Sequence, residues 1–300
     1  MFQLESLKGL SCASLSFYQE KKLVSSWYND KSLPQDCIFP PDKRSGKDHA
    51  AAPCNSIPVI DLGKADYDDW NHIIQQILDA SQEFGFFQVI NHGVSERLMD
   101  DTMNLFLEFF DMPNEDKAEF FPEDSCRKST LFTSNNYYNE GFHLWRNNFV
   151  HSCNPVEEWP TKPARYGLTL GLPKHCDPNL ITAVQQGDIP GLQVFKDAKW
   201  IGVEPLPNAF VVDIGYQLQI ITNGKLKSSE HRAVISSTHA RTTIVTFLVP
   251  DSRSIIEPAK ALTDNKPPLY RAFKNGEFLS FYTQKVGDPE TVLEPFKLKN

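Results

Sequence analysis

The apolar positions of the chain fall into two textures. Between Ile57 and Phe110, short apolar runs alternate with helically spaced ones. Ile57 to Leu62 predicts a strand, and the spacing of Trp70, Ile73, Ile74, Ile77 and Leu78 predicts an amphipathic helix over 66–84, stopped by Gly85. Phe86 to Ile90 predicts a second strand and Asn91-His92-Gly93 a turn. Ser95 then caps a helix with Leu98, Met99, Met103, Phe106 and Phe110 inward, and Pro113 opens a third helix. From about Lys199 the pattern turns to short β-branched runs split by turn residues: 200–204, 209–214, 217–222, 232–236 and 242–249. Asn223-Gly224 suits a two-residue hairpin, whose positions both need positive φ. The expected fold class is therefore α+β with a mainly-β core, an antiparallel sheet folding on itself as a jelly roll. Residues 1–56 carry few periodic signals and read as a partly ordered arm, followed by an α/β region over 57–165 and the β core over 166–300.

Composition narrows the chemistry. The 300 residues carry a net charge of −8, with Lys and Arg outnumbered and scattered. That disfavours nucleic acid and anionic membranes as partners and points to a small-molecule substrate. No stretch approaches the ~20 apolar residues of a membrane span, and the N-terminus lacks a secretory apolar core, so a cytoplasmic location is expected. Six cysteines without a CxxC pair argue against a metal–thiolate site.

The chemistry-bearing residues lie in the second half. His175 and Asp177 are two apart and share a side of a regular strand, and His231 can meet them from a facing strand. Two imidazoles and a carboxylate on one face of a metal leave the opposite positions open, the arrangement of non-haem Fe(II) oxygenases; zinc satisfies the same donor types. Ten residues after His231, Arg241 begins a strand with Thr243 on the same side. Their guanidinium fork and hydroxyl suit a dicarboxylic cosubstrate. Each residue singly has an ordinary structural explanation; together they favour a metal site. His92 reads as structural, His151 and His239 lack ligand spacing, and Phe142, Trp145 and Phe149 are more often core than pocket lining.

Over about Ile57 to Leu298 the chain resembles the plant soluble 2-oxoglutarate- and Fe(II)-dependent dioxygenases. The resemblance rests on Ile57-Pro-Val-Ile-Asp-Leu62, Phe84-Gly-Phe-Phe-Gln-Val-Ile-Asn-His-Gly93, the block from His175 to Thr182, Asn208 to Val212, Thr222-Asn-Gly224 and Ser229-Glu-His-Arg-Ala233. Asn208 to Val212 and Ile256-Glu-Pro258 are most similar to the branch holding hyoscyamine 6β-hydroxylase and the mugineic-acid dioxygenases of grasses. The resemblance implies a double-stranded β-helix flanked by helices, with Fe(II) on His175, Asp177 and His231. It also implies 2-oxoglutarate held by Arg241 and Thr243, O2 as oxidant and ascorbate as reductant. The product would be a hydroxylated small specialised metabolite such as an alkaloid, with succinate and CO2. One departure stands out. Between Pro163 and His175 lie only eleven residues, where relatives hold roughly 60–70, enough for a long helix and a core strand. The β-helix is expected to be incomplete, which raises the alternative of a catalytically impaired protein that at most binds metal or a partner.

Overall fold

The structure, a computed structural model, describes residues 57–64, 70–117, 120, 129–132, 146–151, 172–234, 239, 241–264, 266–285 and 289–298. The expected N-terminal arm, Phe142, Trp145 and most of the shortened stretch after Pro163 lie outside these residues. The chain divides into two compact units, one of Met1–Gly46 with Thr102–Gly171 and the other of Lys47–Asp101 with Leu172–Asn300.

The second unit carries the β-helix. Its elements begin with β1 (Val59–Asp61), α1 (Trp70–Glu83), β2 (Phe86–Ile90) and the start of α2 (Glu96–Phe110). After the residues of the first unit come β5 (Leu172–His175), β6 (Ile181–Gln186), β7 (Leu192–Lys196), β8 (Lys199–Gly202), β9 (Phe210–Ile214), α4 (Tyr216–Ile221), β10 (His231–Ala233) and β11 (Thr243–Leu248). Two sheets form, one ordered β1-β2-β9-β6-β11 and one ordered β5-β10-β7-β8. Phe86, Val211 and Val184 from the first sheet pack against Leu192, Val194 and Ile201 from the second, which makes the space between the sheets the core. A second core on the C-terminal side gathers Cys176, Tyr216, Ile220, Phe273, Phe278 and Phe296 under the short strands β12 (Ile255–Ile256) and β13 (Phe273–Lys274) and helix α5 (Asn275–Gln284). In the first unit, α3 (Asn114–Lys117) follows α2, and β3 (Ser129–Phe132) pairs with β4 (Asn148–His151). There Phe149 sits 4.9 Å from Phe109, ring to ring, in a small aromatic core, as expected for a packing residue.

Most expected elements form, with Ser95 Oγ accepting the Leu98 N–H at the start of α2. Three expectations are corrected. The run 217–222 is a helix, because Gln217-Leu-Gln-Ile-Ile221 alternates in a way that one helical turn buried on one side also satisfies. Asn223-Gly224 consequently closes that helix instead of a hairpin. Both adopt positive φ, 51° and 77°, and the Gly224 N–H reaches Gln219 O while the Asn223 N–H reaches Ile220 O, a Schellman cap. On α1 only Ile73 of the expected apolar stripe is fully buried, while Trp70 and Ile74 are each 49% exposed, since the sheet covers the side bearing Ile73, Ile77 and Ala80.

The edge of the larger sheet bears on function. Among the described residues β11 pairs with β6 alone, along its full length from Thr243–Gln186 to Leu248–Ile181. From Thr242 to Val249 it carries no charge, Pro or Gly, and Val245 and Phe247 are 40% and 53% exposed. Such an edge offers unpaired N–H and C=O groups to other chains. Thr246→Lys, on an exposed position of that edge, is expected to lower the aggregated fraction in light scattering at raised concentration while changing stability by no more than about 0.5 kcal/mol.

Candidate metal and cosubstrate site

The metal-site geometry begins with strand register. β10 pairs with β5 so that His231 lies directly opposite His175 in the same sheet, an adjacent strand and not the facing one expected. Asp177 follows two residues later, just past the end of β5. His175 Nε2 is 3.4 Å and His231 Nε2 3.8 Å from Asp177 Oδ1, and one donor atom from each of the three residues falls within 4.8 Å of the others. Each Nδ1 faces a backbone carbonyl two residues upstream, His175 to Pro173 at 2.9 Å and His231 to Ser229 at 3.1 Å. A carbonyl only accepts, so Nδ1 carries the hydrogen in both rings and each Nε2 keeps its lone pair for a metal. Phe86, itself buried, packs edge-on against His231 with ring centroids 5.0 Å apart.

Protonation favours coordination as well. Burial alone would raise the Asp177 carboxyl, but the His175 contact, the two imidazoles and the Thr182 hydroxyl outweigh it and hold the group well below the usual carboxylate range. Burial, then the neighbouring His175, lowers His231 to about 4, so it is neutral at pH 7. An ionised carboxylate beside a neutral imidazole is a donor set ready for a divalent ion.

Cross-strand register also lines up one row on the inner face of the larger sheet: Phe86, Asp213, Thr182 and Phe247 on four successive strands. Thr182 donates its hydroxyl to Asp177 Oδ2 and accepts from Asn179 Nδ2 at 2.9 Å. Thr243 projects on the same face, four residue pairs further along. Next to it Arg241 Nη2 donates to Gln186 Oε1 at 3.1 Å. Burial lowers the Arg241 guanidinium to about 10, which leaves it cationic at pH 7. Gly191 makes room for it, since a Cβ there would lie 2.8 Å from both Arg241 Cδ and Val234 O. His92 sits away from the site, with Nε2 3.1 Å from Asn208 O and its ring against Phe210, in the structural role expected.

Two family models match the chain. The model described as the 2OG-Fe(II) oxygenase superfamily matches residues 133–250, and the one described as the non-haem dioxygenase N-terminal region in morphine synthesis matches residues 57–168. Hyoscyamine 6-dioxygenase of Hyoscyamus niger is 35% identical, covering 92% of this chain and 98% of its own length. The chain belongs to the 2OG-Fe(II) oxygenase superfamily. The 2'-deoxymugineic-acid 2'-dioxygenase of Hordeum vulgare is 33% identical over 84% of the chain and 90% of its own length. The structure of JOX2 in complex with 2OG, Fe and JA superposes with a TM-score of 0.67 at 25% identity, covering 92% of this chain and 98% of that one. As a member of this family the protein is an Fe(II)/2-oxoglutarate-dependent dioxygenase with a jelly-roll fold, and its cofactors are Fe(II), 2-oxoglutarate and O2. The match to the Hyoscyamus enzyme runs over 346 residues, whereas 92% of this chain is about 276 residues, so about 70 aligned positions have no residue here. That is somewhat more than the roughly 50–60 residues by which the stretch after Pro163 is expected to fall short. Among the described residues no helix is long and apolar enough to cross a membrane.

Asp213 is the group at this site that escapes a sequence reading, hidden inside the apolar strand Phe210-Val-Val-Asp-Ile214. It is 1% exposed, neither carboxylate oxygen has a hydrogen-bond partner among the described residues, and Oδ2 lies 3.8 Å from His231 Nδ1. Burial first, then the charge of Asp177, raises its carboxyl far above the usual range. The unfolded chain ionises this group near pH ~4 while the folded one retains the proton, so stability is lost as pH rises above that value. Asp213→Asn is expected to raise the melting temperature, by an amount that grows between pH 4 and 7; an equal shift at both pH values would contradict this account.

Proposed function

We propose that His175, Asp177 and His231 hold Fe(II), that Arg241 and Thr243 hold the distal carboxylate of 2-oxoglutarate, and that the reaction is hydroxylation of a C–H bond in a small specialised metabolite, an alkaloid-like molecule. The observation that carries this reading is the convergence of two Nε2 lone pairs on Asp177 Oδ1 within 4.8 Å. Iron bound there supplies the chemistry that couples oxidative decarboxylation of 2-oxoglutarate by O2, giving succinate and CO2, to substrate hydroxylation. The chain's own residues do the positioning. The Pro173 and Ser229 carbonyls fix both rings, the Thr182 hydroxyl fixes one oxygen of Asp177, and the other stays free for the ion. Arg241 offers a two-pronged guanidinium in a partly desolvated position, where a carboxylate binds more strongly than in water. The relative that acts on hyoscyamine supports an alkaloid-like substrate, and the one acting on deoxymugineic acid supports a small polar metabolite.

Purified protein with Fe(II), ascorbate and 2-oxoglutarate is expected to release succinate in a substrate-dependent manner across a panel of alkaloids and amino-acid-derived metabolites. His231→Ala is expected to abolish iron binding. Gly191→Ala, by displacing Arg241, is expected to weaken 2-oxoglutarate binding about tenfold while iron affinity stays unchanged; equal loss of both would remove Arg241 from the cosubstrate role.

A second reading is favoured by the exposed inner-face residues Val245 and Phe247 on an edge strand: a shortened protein that binds iron but turns over poorly. Folded, iron-loaded protein with no succinate release over the whole panel would select this reading over the first.

A further inference from the structure

The segment bearing Asp177 is fixed from outside the β-helix. Tyr282, on helix α5, donates its hydroxyl to the carbonyl of Cys176 at 2.9 Å, across 106 residues of sequence. That carbonyl belongs to the planar peptide joining Cys176 to Asp177, so its direction sets how the chain enters Asp177. The next peptide is held too, by the Tyr216 N–H on the Asp177 carbonyl at 2.8 Å, and Pro178 confines Asp177 to extended conformations. Thr182 holds one oxygen of the Asp177 carboxylate, and both flanking peptides are clamped, one by a backbone group and one by a single side-chain hydroxyl, which together aim the other oxygen at the two imidazoles.

We propose that Tyr282 is a positioning residue of the metal centre, through which the C-terminal helix α5 sets the direction of Asp177; this rests on the ligand set given above. The phenol ring already packs in the core beside Phe278, 6.4 Å between centroids, so packing alone would be served by Phe. What the hydroxyl adds is the bond to Cys176. Without it the Cys176 carbonyl stays in the same apolar core with that acceptor unmet, and the peptide gains freedom to rotate.

The experiment is Co(II) and Fe(II) titration of the full-length chain, with the cobalt visible spectrum as a second readout, on Tyr282→Phe, Phe281→Leu and His231→Ala. Phe281 packs on Phe296 in the same core, 5.8 Å between ring centroids, and so controls for loosening of α5 itself. Tyr282→Phe is expected to weaken metal binding about tenfold and alter the cobalt spectrum, as losses of outer hydrogen bonds at metal sites do, while Phe281→Leu lowers the melting temperature and leaves the affinity unchanged. Affinity of Tyr282→Phe within about twofold of the unaltered protein, with His231→Ala non-binding, overturns the positioning role and leaves the ligand set standing. Equal weakening by both helix variants also overturns it, because a general loosening would then suffice. Undiminished binding by His231→Ala overturns the ligand set and the positioning role together.

Discussion

The metal site rests on one cross-strand register, His231 opposite His175. A strand slipped by one residue turns every side chain to the other face, so a single error between β5 and β10 would send one imidazole out of the site. The β5 side alone specifies this weakly, since the pairing becomes irregular between His231 and Ala233. The other side of β10 fixes it, with three consecutive pairs to β7, from His231–Val194 to Ala233–Leu192. Arg232 strengthens that register. Its Nε donates to Gln193 Oε1 at 2.8 Å and its guanidinium lies 4.0 Å from the Trp200 ring centroid. The residue next to the second histidine thus determines where that histidine stands.

Burial gives this register its chemical value. In water, a carboxylate 3.4 to 3.8 Å from two imidazoles would be diluted by solvent and by rotamer freedom. Here the same groups lose water to the β-helix core, while both Nδ1 atoms and one oxygen of Asp177 are directed to fixed partners. Asp213 differs, a buried carboxyl neither of whose oxygens has a hydrogen-bonding partner among the described residues, and such a group costs stability of order a few kcal/mol. Its position beside Asp177 and His231 is what turns an otherwise ordinary core strand into part of the site's electrostatics.

The sequence was most legible where a function demands fixed residue types at fixed spacing. His175, Asp177 and His231 carry donor chemistry that few other patterns share and do converge, and the helix capped by Ser95 follows from one side chain and one period. Gln217 to Thr222 was misread because six residues of alternating Gln, Leu and Ile fit a strand and a short helix equally, and tertiary packing decided between them. Asn223-Gly224 misled for a related reason. Positive φ at two successive residues closes a hairpin or a helix, and only the element before it tells which. Asp213 and Tyr282 were illegible for a different reason: their partners lie 36 and 106 residues away, Asp177 in one case and Cys176 in the other, and no local pattern marks such contacts.

The shortened stretch before His175 acts unequally on the two halves of the site. The proposed metal ligands His175 and His231 sit on paired strands of the smaller sheet, and Asp177 is clamped by α4 and α5, all among the described residues. Arg241 and Thr243 instead stand at the entry to β11, the edge strand of the larger sheet among the described residues. An edge strand is held by one ladder of hydrogen bonds where an interior strand has two, and it opens at lower free energy. The same edge carries Val245 and Phe247 on the inner face, exposed where a substrate wall would exclude water. On the proposed assignments the physical consequence of the shortened stretch is therefore graded: the iron ligands keep their strand pairs, the cosubstrate residues depend on a strand with one partner among the described residues, and the exclusion of water from the reacting bond bears the greatest cost.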